Sequence, residues 1–245
     1  MPSNTPLPIV LATALVASLA MAPAHAKTLA FAGYTWDVRS GSGGPGPNTW
    51  NATNAWVDAA GALHLRVVLR DGVWTCAEVT LQQRLGFGTY EFMVTGPIDQ
   101  LDKNLVLGLF DYPTADVGLD GTNEIDIEFS HWGNAANPIG NYTVWPAVAG
   151  AQPTTHTFTF ALSDDRTTHR FIWSPDHIAF RSMRGIGSGS LPAFGQWNYK
   201  PTNPARHIPQ NALPVHLNLW LFQGQAPSNG QPVVIVINGF HFTPQ

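Results

Sequence analysis

The segment Leu63-His64-Leu65-Arg66-Val67-Val68-Leu69-Arg70 alternates apolar and polar positions almost without a break, the two-residue period of a strand with one face buried. Gly88 to Thr95, His156 to Phe160, His169 to Trp173 and Val233 to Phe242 are further short runs rich in β-branched and aromatic residues, and they predict more strands. Ser174-Pro175-Asp176, after Trp173, is turn chemistry that predicts a hairpin. No segment carries the period of a long amphipathic helix. Strands at this density predict an all-β domain of two packed antiparallel sheets.

Two strands divide their faces by chemistry. In Glu124-Ile125-Asp126-Ile127-Glu128-Phe129 the apolar residues point one way and three carboxylates the other. In Val215-His216-Leu217-Asn218-Leu219-Trp220-Leu221-Phe222 an aliphatic face backs a face of His216, Asn218, Trp220 and Phe222. Like charges side by side on a sheet are destabilising, so a strand that needed only solubility would alternate signs or use neutral polar residues. Aromatic rings interleaved with amide and imidazole groups suit a cleft for a neutral oligosaccharide.

Composition narrows the partners. The chain has 12 basic and 16 acidic residues among 245, with 11% charged overall. No basic stripe exists of the kind that nucleic acid or anionic lipid requires. Ile9 to Met21 is an uncharged, Ala-, Leu- and Val-rich run that ends at Ala24-His25-Ala26, although Met1 to Pro8 contains no Lys or Arg. This reads as a signal peptide over residues 1–26, too short at about 13 apolar residues to span a bilayer. A single domain over residues 27–245 is then expected outside the cytoplasm, secreted or periplasmic, as a monomer free of the membrane after cleavage. Cys76 is the one cysteine. No internal disulfide can form, and a buried inert thiol is expected. Gly41 to Gly46 matches a dinucleotide-binding glycine pattern without the strand and helix that pattern needs, so a loop is expected there and again at Gly185 to Gly189. Asn51-Ala52-Thr53 and Asn141-Tyr142-Thr143 match the glycosylation triplet, a short pattern of little weight.

Glycoside hydrolysis needs one carboxylic acid to protonate the leaving oxygen and a second carboxylate to attack carbon or activate water. Cα atoms four residues apart on a flat strand lie about 13 Å apart, whereas retaining chemistry wants carboxyl groups about 5–5.5 Å apart. The acidic strand therefore predicts a concave sheet whose curvature lets Glu124 and Glu128 lean together, with Asp126 hydrogen-bonded to one of them. Crowding also predicts shared protons and raised pKa values.

The acidic strand resembles the active-site strand of glycoside hydrolase family 16, the laminarinases, lichenases, agarases and related endo-enzymes. Cys76-Ala77-Glu78 resembles a strand of the lichenase cleft, Gly86-Phe87-Gly88-Thr89-Tyr90-Glu91 is similar to the family's Tyr-Gly-x-Tyr-Glu segment, and His169 to Ile178 is similar to its His-x-aromatic-x-Trp-x-Pro hairpin. Asn218-Leu219-Trp220 resembles a late cleft strand. The resemblance implies a β-jelly-roll sandwich with a concave substrate-binding face and retaining endo-hydrolysis of a β-linked polysaccharide. By similarity Glu124 is the nucleophile, Glu128 the acid and then base, and Asp126 the holder of a proton shared with Glu124. Glu78, Trp132, Trp145, His216, Asn218 and Trp220 are the candidate substrate-binding residues. The chain departs from lichenase-like members at Thr122, where they carry Trp, and at Val79 and Thr80, where they carry an aromatic and Arg.

Two other readings stay open. A lectin-like sandwich would need the aromatic groove but gains nothing obvious from three crowded carboxylates. A calcium site would use hard oxygen ligands, yet alternate strand positions do not wrap a cation as a loop does. No cofactor is required by the hydrolytic reading, and a structural calcium in a loop is left open. Nucleophilic serine, cysteine and zinc signatures are missing from the sequence.

Overall fold

The structure, a computed structural model, describes residues 27–187 and 190–245. The expected signal segment, residues 1–26, and the end of the expected Gly185 to Gly189 loop lie outside the described residues.

In chain order the strands are β1 (Thr28–Phe31), β2 (Tyr34–Val38), β3 (Gly41–Gly43), β4 (Asn48–Trp50), β5 (Ala55–Val57), β6 (Leu63–Arg70), β7 (Val73–Thr75), β8 (Ala77–Leu85) and β9 (Gly88–Thr95). They continue as β10 (Leu105–Asp111), β11 (Glu124–Phe129), β12 (Gly140–Trp145), β13 (Thr154–Phe158), β14 (Arg166–Trp173), β15 (Ile178–Arg184), β16 (Ala193–Tyr199), β17 (Leu213–Leu221) and β18 (Val233–Pro244). The α-helix among the described residues is the single turn Pro204–His207, so no described helix is long and apolar enough to cross a membrane.

Two large antiparallel sheets form the sandwich. One runs β1-β2-β8-β17-β10-β11-β12-β13, and the other runs β16-β15-β14-β9-β18-β6-β5 with β7 attached to β6. In each sheet three of the pairings join strands distant in sequence, as in a jelly roll. The first sheet carries both chemically divided strands, separated by β10. Its inward residues include Ile125, Ile127 and Phe129, Leu105, Leu107 and Leu109, and Val215, Leu217 and Leu219, all buried. The second sheet answers with Tyr90, Phe92, Val94, Phe171, Trp173, Ile235 and Ile237. Tyr90 stacks on Phe171 with ring centroids 4.5 Å apart.

A polar chain crosses this core. Tyr142 hydroxyl on β12 donates to Ser182 Oγ at 2.7 Å, and Ser182 lies 2.9 Å from His169 Nδ1, whose Nε2 is 2.8 Å from Thr167 Oγ1. Burial drives the His169 pKa down to about 3, so the ring is neutral. The Ser182–His169 contact has nucleophile-and-base geometry, but both residues are sealed from solvent. It ties the two sheets together instead.

The strands expected over 63–70, 88–95, 169–173 and 233–242 are present, as is the hairpin at Ser174, where Ser174 N–H donates to His177 carbonyl at 3.0 Å. The strand expected at His156 to Phe160 begins earlier, at Thr154, and ends at Phe158. Gly41 to Gly46 corrects the loop expectation in part. Gly41–Gly43 pairs with Asn48–Trp50 as a small hairpin, and positive φ at Gly41, Gly43 and Gly46 explains why glycine fills those positions. Cys76 sits beneath this hairpin, fully buried and free, with Sγ 3.3 Å from Asn48 Oδ1. Burial pushes its thiol pKa up to about 12.

Bulging bends the first sheet. The pairing of β17 with β8 slips between Pro214 and His216, and Gln82, Gln83 and Arg84 are consecutively exposed where the alternation of β8 breaks. The outer face of this sheet holds the cleft.

Candidate active site

Antiparallel register arranges the cleft floor in cross-strand rows. One row reads Asn141, Glu128, Gly108, Asn218, Glu78 across β12, β11, β10, β17 and β8. The next reads Thr143, Asp126, Phe110, His216, Thr80. Glu124 lies opposite Trp145. The cleft has a volume of about 620 Å³, and all three carboxylates of β11 line it. So do Glu78, Trp132, Trp145, His216, Asn218 and Trp220, so the structure brings every candidate site residue to one concavity.

The carboxylates interact. Asp126 is 2% exposed, and its Oδ2 accepts from the Trp145 indole N–H at 2.8 Å. Its Oδ1 is buried and meets no protein donor. Glu124 and Asp126 are alternate residues on one face of β11, near enough for each to shift the other's pKa, and two such carboxyls meet favourably only by sharing a proton. Burial, then the charge of Glu128, pushes the Glu124 pKa up to about 8, against the lowering effect of Asp126. Burial and Glu124 hold Asp126 well above the ordinary carboxylate range, and burial and Asp126 do the same for Glu128. All three groups resist ionisation, so at most one of them carries a negative charge near neutral pH.

Glu78 is a contrasting carboxylate. Burial opposes its ionisation, but His216 Nδ1 at 3.3 Å, the Arg39 guanidinium at 3.0 Å and the Asn218 amide at 3.4 Å outweigh this and hold its pKa below the ordinary value. Arg39 also stacks on Trp50, 4.3 Å from the ring centroid. Glu78 is therefore a fixed anion on the cleft floor, already engaged by a cation.

Aromatic groups close both ends. Trp132 adopts φ 52° and packs its ring against Trp220 at 6.3 Å and Phe222 at 5.6 Å. At the other end His216 packs against Phe110 at 5.1 Å and Tyr112 at 5.6 Å. Tyr112 hydroxyl donates to Asp120 Oδ1 at 2.7 Å, and burial with that carboxylate keeps the phenol protonated.

Arg39, Pro45, Phe110, Tyr112 and Asp120 line the cleft without having been singled out in the sequence. Phe110 and Tyr112 flank Asp111 at alternate positions, the one pattern that could have marked them. Arg39 carries no local signal, since the hairpin after it brings it over Glu78. Trp145 lines the cleft and at the same time donates its indole N–H to Asp126. Among the described residues no group of three or more His, Cys, Asp or Glu side chains is arranged to hold a metal ion.

No protein-family model matches the sequence, and no curated relative matches it either. Solved structures do match. A β-glucanase of Bacillus licheniformis superposes with a TM-score of 0.64 at 22% identity, covering 86% of this chain and 92% of that one. A glycoside hydrolase family 16 endo-glucanase from Bacteroides ovatus gives 0.62 at 14% identity, covering 85% and 94%. An immunostimulatory antigen and pseudo β-1,3-glucanase of Mycobacterium tuberculosis gives 0.64 at 19% identity, covering 86% and 91%. The chain shares the jelly-roll fold of these proteins.

Proposed function

We propose that the chain is an extracytoplasmic retaining endo-glycosidase of the family 16 type, acting on internal β-linkages of a neutral polysaccharide such as a β-glucan. The observation that carries this reading is the row Glu124, Asp126, Glu128 along one cleft-lining strand face, where crowding and burial raise all three pKa values. One negative charge over three carboxyls is the state from which double displacement starts.

In that reaction Glu124, its charge freed by the proton held on Asp126, attacks the anomeric carbon while Glu128 donates its proton to the departing oxygen. Glu128, now ionised, takes a proton from water, which attacks the same carbon and displaces Glu124. The two inversions return the original β configuration. No cofactor enters either step. A neutral substrate is favoured because Arg39, the cation lining the cleft, is already paired with Glu78. The endo mode is argued from the endo-glucanase among the similar folds.

The test is a panel of laminarin, mixed-linkage glucan, agarose, carrageenan and xyloglucan, with reducing ends measured and the first-formed anomer followed by NMR. Release of β-anomer from one polymer, abolished in Glu124→Gln and Glu128→Gln, is expected. One similar fold is named a pseudo-glucanase, which supports a second reading as a sugar-binding sandwich without turnover. Binding to a panel polymer with no release of reducing ends would establish that alternative.

A further inference from the structure

Trp145 meets Asp126 diagonally. It lies on β12 opposite Glu124, while Asp126 faces Thr143. Its side chain nevertheless crosses to Asp126, and the indole N–H donates to Oδ2 at 2.8 Å. An indole N–H is a donor only, so Oδ2 is fixed as an acceptor and is the wrong oxygen to carry a proton. The other oxygen, Oδ1, is buried and finds no protein donor. A buried carboxyl oxygen without a donor is costly when ionised and is relieved by carrying the proton itself. The Glu124 carboxyl, two residues along the same cleft-facing strand face, is the neighbouring acceptor.

We propose that Trp145 is a positioning residue that selects which oxygen of Asp126 holds the shared proton, directing it from Oδ1 toward Glu124, rather than a platform for sugar. The inference rests on the hydrolase reading for its catalytic consequence but not for its geometry. Other charged or titratable groups face the pair. Glu128 shares the strand, Asp111 lies on the core side of β10, and Tyr112 and Asp120 face Glu124 from the loop beyond β10. None of them supplies a fixed donor to Asp126.

Losing the donor destabilises the ionised pair, so its apparent pKa values rise and the acid limb of activity moves to higher pH. Two substitutions separate the roles. Trp145→Phe removes the N–H and part of the ring, and a benzothienylalanine at position 145 replaces the N–H by sulfur at nearly unchanged size. Both are expected to lower kcat about tenfold and to shift the acid limb upward by about one pH unit, with KM changed less than about twofold. A sugar platform would show the reverse, a raised KM in Trp145→Phe and wild-type kinetics in the isosteric variant. A measurement independent of turnover is the NMR titration of the Asp126 carboxyl carbon, assigned by its loss in Asp126→Asn. Its midpoint should rise in both variants. An unmoved midpoint overturns the proposal even if the enzyme is active. A raised midpoint with no hydrolysis of any polymer would uphold it while refuting the hydrolase reading.

Discussion

Asn218 reaches across Gly108 so closely that a β-carbon on the glycine would stand 2.5 Å from Asn218 Oδ1. The same carbon would meet the Phe110 ring at 3.2 Å. Gly108 is the gap in the floor between Glu128 and Asn218 in one cross-strand row, and its lack of a side chain leaves the space that the Asn218 amide fills. Gly108→Ala should therefore lower kcat/KM by about 10- to 100-fold through displaced groups, with an unchanged far-UV circular dichroism spectrum. Wild-type kinetics in this variant would show that the Asn218 position does not matter to turnover.

Glu124 and Glu128 are assigned different duties, and leaving-group chemistry distinguishes them. A dinitrophenyl glycoside needs no protonation to depart, so Glu128→Gln should retain most of its glycosylation rate on that substrate while losing at least about 10²-fold on a polymer. Glu124→Gln should lose at least about 10³-fold on both. Equal losses for both variants on the activated substrate would refute the assignment.

The pH profile follows from the direction of the shifts. In the proposed reaction the active form keeps a proton on Glu128, whose pKa burial and Asp126 hold well above 4.5, and needs Glu124, pushed up to about 8, ionised, so activity should peak on the alkaline side and fall as pH rises through the Glu128 value. On the acid side, protonation of the Glu124 and Asp126 pair removes the nucleophile. A bell-shaped kcat/KM is expected. A profile already lost above pH 5 would mean that Glu128 is not held protonated.

Asp111 carries a stability prediction. It alternates with Leu105, Leu107 and Leu109 on the core side of β10, is fully buried, and neither oxygen has a partner. Burial raises its pKa well above 3.8, so the folded chain holds a proton that the unfolded chain releases. Stability from such a group is present below the unfolded value and is lost as pH rises through the folded one. Glu124, Asp126 and Glu128 act in the same sense. His169, lowered to about 3, acts oppositely, losing stability as pH falls below its ordinary value, but it is one group against four. The melting temperature should therefore fall between pH 5 and pH 8. Asp111→Val should add about 1–3 kcal/mol at pH 8 and flatten that slope, measured by thermal unfolding at both pH values. A less stable variant at pH 8 would show that the carboxyl has an unrecognised favourable role.

What was legible in the sequence was what a two-residue period can carry. The acidic strand and Val215 to Phe222 could be divided into faces because apolar residues alternate with polar ones. Leu105 to Phe110 could not, since its cleft-facing residues are Val106, Gly108 and Phe110, apolar like the core-facing leucines beside them. The strand that joins the two functional strands therefore went unread. Arg39, Tyr112 and Asp120 reach the cleft through long-range pairing and loop contacts, which a local pattern does not encode. Trp145 was visible as an aromatic near the acidic strand, but its diagonal hydrogen bond depends on register between β11 and β12.

The solitary sulfhydryl at position 76, lodged under the small glycine hairpin and held in its un-ionised form, gives the molecule an internal clock. A thiol-specific reagent in plain buffer has nothing to modify until the hairpin lifts and the sandwich parts, so the speed of labelling reports how often that opening occurs. With one cysteine in the sequence, the chain also has no disulfide of its own to form or reshuffle as it folds.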